Sequence, residues 1–338
     1  MNTFTSAAGY HVYALAASEA DSHWVLLLSA MLLSAVACSL IMAAAHTVLP
    51  LMAPETYRAM VAEKACQRVA VPKNVTEWWP AIVTPLLVYS ETRELTLAAL
   101  AAPEQALYLP AGPAMWSATG AALGYMVYDC GVMAVFRGAL RESMGGEMYN
   151  LLWFHHVFSL VFWPYALHSS AACVFVAWFL LSEVTNVFLN CRTLLIKMRK
   201  TSGAPFMIVR APPAQLTAAA PTHAPASVPA STPGTVPPPL ASLPAPPAPS
   251  PRSRGACGAA QASTLFLVSF LVVRIVPIPF FVAVWSRADW GHTTHGTLLV
   301  TAITTPLPVL LNLYWFGLAL KGAARLLRPA KKKDKAKQ

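Results

Sequence analysis

Charge is what this sequence lacks. Asp, Glu, Lys and Arg make up 11% of its 338 residues, against 56% for hydrophobic types, whereas a soluble domain carries about a quarter charged residues. The deficit excludes an ordinary soluble domain and places the chain among membrane proteins. Cysteine offers no framework either. Cys38, Cys66, Cys130, Cys173, Cys191 and Cys257 contain no CxxC pair, and Cys38, Cys130 and Cys173 lie in apolar runs. They read as small packing residues, with no disulfide scaffold and no zinc site. No Lys or Arg precedes the first apolar run, while Glu19 and Asp21 do. That pattern argues against a cleaved signal peptide and for an uncleaved first span whose N-terminus lies outside the cytosol. The net charge of +10 comes from basic residues that follow apolar stretches and are not interleaved with aromatics. A nucleic-acid partner is therefore not expected.

What is present is a series of apolar runs near the length of about 20 residues that a bilayer requires. The expected fold is an all-α, multi-pass transmembrane helical bundle of about seven spans. The first covers 24–45, after a lumenal stretch 1–23, and a polar cytosolic loop follows over 46–77. The second, over 78–90, is short and interrupted by Glu91, Arg93 and Glu94, so it reads as a short span or a re-entrant element. The others cover about 114–135, 151–167 (with Pro164), 171–190, 264–286 and 297–320. Ser169 and Ser170 predict a tight turn that makes the fourth and fifth spans antiparallel neighbours. A stretch rich in Pro, Ala and Ser over 204–258 predicts a disordered insert (201–260 at its widest) within the helical region 78–327. It reads as a tolerated insertion or as a ligand for a proline-recognising partner.

Basic residues set the expected orientation. Arg192, Lys197, Arg199 and Lys200 follow the fifth span, and Lys321, Arg325 and Lys331-Lys332-Lys333 follow the seventh. Both flanks, and the basic tail 328–338, are expected in the cytosol, with the N-terminus lumenal. The sequon Asn74-Val75-Thr76 would then face the cytosol and stay unmodified.

Ionisable groups at the bilayer centre cost at least about 2.5–3.5 kcal/mol each on insertion scales. Those that a chain retains face a protected interior. Four groups stand out. Tyr125, Tyr128 and Asp129 share the third span, with Asp129 either in the interior or solvated near the cytosolic end. His155 and His156 on the fourth are adjacent, so their rings diverge by about 100°. One can face a cavity while the other bonds a neighbouring helix, and Ser159 is within reach of either. Imidazole suits proton transfer or attack on an acyl group, but no i, i+4 His or Cys partner supports a metal site. Glu183, Asn186 and Asn190 form one stripe on the fifth span, where Glu183 lies at the depth of His156. Arg274 in the sixth span needs an acid, with Asp129 or Glu183 available, and Asn312 sits in the seventh. Pro277, Pro279, Pro306 and Pro308 break the last two spans, which is tolerated where helices line a cavity. These groups predict an intramembrane polar cavity walled by the third to seventh spans.

Gly124-Tyr125-Met126-Val127-Tyr128-Asp129, His155-His156 and Ser182-Glu183-Val184-Thr185-Asn186, in that order, resemble the TLC domain superfamily (TRAM, LAG1 and CLN8). The segments around Arg274 and Leu311-Asn312-Leu313-Tyr314-Trp315-Phe316 resemble the family's last two helices, so the likeness runs over about 114–327. Ceramide synthases in this superfamily join a fatty acyl-CoA to a sphingoid base. Their aspartate-rich segment has no counterpart here, where Glu183, Asn186 and Asn190 stand. The second span also lacks the family's Arg, Ser and His-Ala pattern. The sequence is thus more similar to the TLC domain-containing branch. The resemblance implies an endoplasmic-reticulum membrane protein of sphingolipid or phospholipid homeostasis with membrane lipids as partners, no cofactor, and a homo-oligomer as an open alternative. As an acyltransferase it would take acyl-CoA as co-substrate and use His155 or His156 as base or nucleophile, with Asp129 or Glu183 as the orienting acid. Tyr125, Tyr128, Ser159, Asn186, Asn190, Arg274 and Asn312 would contact the lipid. A lipid sensor, transporter or cargo receptor is the non-enzymatic alternative.

Overall fold

A computed structural model describes residues 4–201, 251–292 and 295–327. The elements are α1 (Phe4–Met52), α2 (Pro54–Glu63), α3 (Gln67–Thr76), α4 (Trp78–Ala101), α5 (Pro113–Val135), α6 (Arg137–Met144), α7 (Gly146–His168), α8 (Cys173–Leu181), α9 (Thr185–Thr201), α10 (Pro251–Phe270), α11 (Ile278–Arg287), α12 (His295–Thr304) and α13 (Pro306–Leu327). The described residues contain no strand, and the fold is an all-α membrane bundle. Among the described residues, five helical stretches are long and apolar enough to cross a membrane: Asp21–Met52, Pro113–Val135, Cys173–Lys197, Gln261–Arg287 and Thr301–Gly322. Their outer faces are apolar and bare, as at Leu32, Leu33, Leu40 and Val135, a surface suited to hydrocarbon rather than water.

Three sequence expectations are revised. The expected second span does not stop at Ser90: α4 continues as one 24-residue helix to Ala101, about 36 Å at helical rise. Its Glu91, which interrupts the apolar pattern, turns toward the start of α5. There it accepts the backbone N–H of Met115 at 2.8 Å and that of Gly112. A carboxylate at a helix N-terminus satisfies orphan amides and opposes the helix dipole. The second revision concerns 46–77, which is no loop. The first helix runs on to Met52, and α2 and α3 follow it, placing Lys73 and Thr76 in the interior. The third concerns the proline-rich stretch. Residues 202–250 and the tail 328–338 lie outside the described residues, but α10 starts at Pro251, inside the expected insert. Prolines cease there, Ala-rich sequence follows, and Pro suits the first helical position.

Helix α1 packs closely on α5. Gly120 and Gly124 of α5 abut the Leu27 and Met31 carbonyls, leaving no room for a Cβ at either position. Ser34 Oγ donates to Ala121 O at 2.6 Å and accepts from Trp79 Nε1 at 2.9 Å, which ties α4 to the pair. The turn after α7 holds Ser170 (φ 49°) and Ala172 (φ 61°) in the left-handed region, in accord with the tight turn read from Ser169-Ser170.

Candidate functional site

Two spans leave α-helical geometry where the polar residues lie. Between α8 and α9, Ser182–Val184 forms a 3-10 turn. Beyond α10, Leu271–Ile275 forms a π-helical turn that carries Arg274. Such departures aim side chains that a regular helix would point elsewhere, and they recur at functional positions. Pro277 and Pro279 follow the π turn, and Pro306 opens α13.

Arg274 is buried, and each of its three guanidinium nitrogens donates a hydrogen bond. Nε donates to Thr185 Oγ1 at 2.9 Å, Nη1 to Asn312 Oδ1 at 3.1 Å and Nη2 to Ser182 O at 3.0 Å. Glu183 Oε1 lies 3.8 Å from Nη2, and the Phe270 ring lies under the guanidinium at 5.2 Å. Glu183 is thus the acid nearest Arg274, not Asp129. The reason is that Asp129 already has two cationic or N–H partners. Its Oδ2 is 2.9 Å from His156 Nε2, and its Oδ1 is 2.9 Å from Lys73 Nζ. The equal sequence depth of His156 and Glu183 does not make them a bonded pair, because Asp129 approaches the ring from α5. Glu183 instead accepts from Asn186 Nδ2 at 2.7 Å, as the i, i+3 stripe implies.

The two histidines divide the work as their helical divergence suggests. His156 is buried and bonded to Asp129, and Tyr125 meets it edge-on at 5.9 Å. His156 Nδ1 is buried with no protein hydrogen-bond partner. His155 packs edge-on against Trp315 of α13, at 5.8 Å and 82°. Both rings line a cavity of about 400 Å³, together with Tyr125, Glu183, Asn186 and Arg274. Its walls are largely apolar and include Leu152, Leu189, Phe266, Phe270 and Leu318. Arg192 stands at the end nearest Gly322, with Nε donating to Ser263 Oγ at 3.0 Å. The third to seventh expected spans all contribute, and Glu77 and Pro80 add the start of α4.

Other expected contact residues fall outside this cavity. Ser159 and Asn312 line a neighbouring space of about 30 Å³, beside His155, Ser182 and Arg274, which is room for about one water. Asn190 is buried with its Nδ2 unpartnered, and Tyr128 is half-buried toward Thr76.

The residue that sequence reasoning missed is Lys73. It is fully buried, with Nζ 2.9 Å from both Glu77 Oε1 and Asp129 Oδ1. Burial works to lower the ammonium's pKa, but the Asp129 and Glu77 carboxylates outweigh it and hold it above the ordinary lysine value. The signal in the sequence was an i, i+4 Lys–Glu pair directly after the apolar Val69-Ala70-Val71-Pro72.

Among the described residues, no group of three or more His, Cys, Asp or Glu forms a metal-binding cluster. No curated protein and no solved structure matches the chain. The family model described as the TLC domain (TRAM, LAG1, CLN8) matches residues 82–213. It begins within α4, inside the expected TLC-like region 78–327 and ahead of the motifs over 114–327, and ends before Arg274 and Asn312. Residues 82–213, which supply Asp129, both histidines and Glu183, are thereby identified as a TLC domain.

Proposed function

We propose that this protein acts in membrane lipid homeostasis by holding a lipid in the cavity between α5, α7, α9, α10 and α13. The observation that carries the reading is the cavity itself. About 400 Å³ of largely apolar space has a polar floor lined by His155, His156, Glu183, Asn186 and Arg274, and His156 contacts Asp129, outside the lining, at 2.9 Å. That volume lies within the usual range of about 300–1,000 Å³ for small-molecule sites. Apolar walls suit an acyl chain, and the floor suits a head with hydrogen-bonding groups. The TLC domain match points to the same lipid-related family. The basic flanks after α9 and α13 support a cytosolic C-terminus and a lumenal N-terminus, and the family likeness supports an endoplasmic-reticulum location.

The contact of Asp129 with His156 favours a catalytic version, acyl transfer from acyl-CoA to an amine such as a sphingoid base. An ionised carboxylate accepts from Nε2–H, which leaves Nδ1 as the acceptor. The amine would attack the thioester carbonyl. A C–N bond forms, the C–S bond breaks, and His156 takes the amine proton and returns it to the leaving thiolate.

The test compares wild type with His155→Ala/His156→Ala, purified in detergent. Co-purifying lipids and cellular lipid profiles are measured by mass spectrometry, and acyl-CoA consumption by thiol release. Retention of a lipid class by wild type and its loss in the double variant support the binding reading. Turnover in wild type alone supports acyl transfer. Retention without turnover overturns the catalytic version and leaves a sensing or transport role. Identical lipid profiles without turnover overturn both.

A further inference from the structure

We propose that Lys73 is the positioning residue of this site: its ammonium holds Asp129 so that the carboxylate meets His156 Nε2–H and leaves Nδ1 to serve the cavity. The inference rests on the reading of the cavity as a lipid site and adds a residue from α3, upstream of the matched domain. Asp129 is fully buried, with His156 Nε2 hydrogen-bonded to Oδ2 at 2.9 Å and the Lys73 ammonium ion-paired with Oδ1 at 2.9 Å, outside hydrogen-bond alignment. Two contacts from different helices fix the plane of a carboxylate where one would let it turn, and groups held this way orient the ring they touch.

Charge gives the second argument. A buried carboxylate needs a compensating cation or must take up a proton itself. Without Lys73, the group left in contact with Asp129 is His156, and an imidazole that supplies that charge carries protons on both nitrogens. It then has no lone pair to accept a proton from a bound molecule. Lys73 takes over the compensating role, and its own place is fixed by Glu77, 2.9 Å from Nζ, and by the Thr76 hydroxyl, which donates to the Lys73 carbonyl at 2.7 Å. Glu77 also lines the cavity, so the network reaches from α3 to the floor.

The test reads the ring directly. Full-length protein labelled with [15N]histidine is placed in lipid nanodiscs, and the His156 resonances are assigned by their loss in His156→Gln. Wild type and Lys73→Arg are expected to show the tautomer with the proton on Nε2 and Nδ1 in the acceptor range. Lys73→Met and the hydrogen-bonding neutral variant Lys73→Gln are expected to lose that signature, through double protonation or mixed tautomers. Lys73→Gln carries the test if Lys73→Met does not fold. An unchanged tautomer in either neutral variant, with only a lowered melting temperature, overturns the proposal and leaves a plain structural ion pair. The readout needs no substrate. Loss of the tautomer signature, in a protein whose lipid retention ignores His156, sinks the function and not the positioning. An unchanged tautomer with His156-dependent lipid retention does the reverse.

Discussion

Arg274 Nη2 donates to the carbonyl of Ser182 at 3.0 Å, so the π-helical turn of one span is tied to the 3-10 turn of another. The same carbonyl accepts the Thr185 hydroxyl at 2.9 Å, and that hydroxyl receives Arg274 Nε. Each irregular turn alters its own backbone bonding, and the guanidinium spans the two. Arg274, one of the residues expected to contact lipid, thus spends three donors on protein groups.

Replacing Arg274 by Met should therefore cost roughly 3–5 kcal/mol, the penalty for removing one partner from a buried charged network. Arg274→Lys should recover little, because an ammonium cannot reproduce the planar fork. Asn312→Ala removes one charge-assisted bond and should cost about 1.5–3 kcal/mol. Thermal denaturation in detergent orders the three. An Arg274→Met melting point equal to wild type would show that the network contributes nothing net.

The α1–α5 contact predicts opposite outcomes for two glycines of one helix. A Cβ at Gly124 meets the Met31 carbonyl, whereas one at Gly131 has nothing within 4 Å. Gly124→Ala should destabilise by about 1–3 kcal/mol through overpacking. Gly131→Ala should be neutral, or stabilising by up to about 1 kcal/mol through helix propensity. Equal melting shifts for the pair would contradict the close docking.

Glu91 bonds the amides of Gly112 and Met115. Glu91→Ala should cost about 0.5–2 kcal/mol, as loss of a helix cap does. Glu91→Gln should lose less, since it keeps an acceptor oxygen but not the charge that opposes the dipole. Amide hydrogen exchange at Gly112 and Met115 checks this locally, with faster exchange in Glu91→Ala than in Glu91→Gln.

Lys73 gives a pH dependence with a definite sign. Its folded pKa is raised above the ordinary 10.5, so its stabilising contribution is fully present below that value. It is lost only as pH rises through the folded value. The melting-temperature difference between wild type and Lys73→Arg, which keeps the cation and leaves His156 as it is, should therefore hold constant from about pH 6 to 9 and shift against wild type only in strongly alkaline solution. A difference that collapses near neutrality would count against the buried Lys73–Asp129 pair.

The identities of the site residues were legible because hydrocarbon penalises them. Asp129, His156, Glu183 and Arg274 stand out against apolar runs, and helical period alone pairs Glu183 with Asn186. Their partners were less legible. Distance from the turn after α7 gives depth in the bundle but not which helix lies beside which, so it leaves Glu183 and Asp129 both open as the acid of His156, and the approach of α5 selects Asp129. Lys73 escaped notice for a different reason. It sits in a stretch polar enough to pass for a solvated loop, and only the packing of α3 against α1, α4, α6 and α9 takes it out of water. The turns at Ser182–Val184 and Leu271–Ile275 follow from packing that periodicity does not encode. The prolines flagged only the second.

Two bare glycine Cα atoms pressed against the first helix bear on how the protein can be handled. A fragment excised at residue 82 would strip α1 from Gly120 and Gly124 and discard the ammonium that Asp129 depends on. The inherited motif and the cooperative folding unit therefore have different borders, and biochemical work on the TLC domain has to retain the helices that come before it.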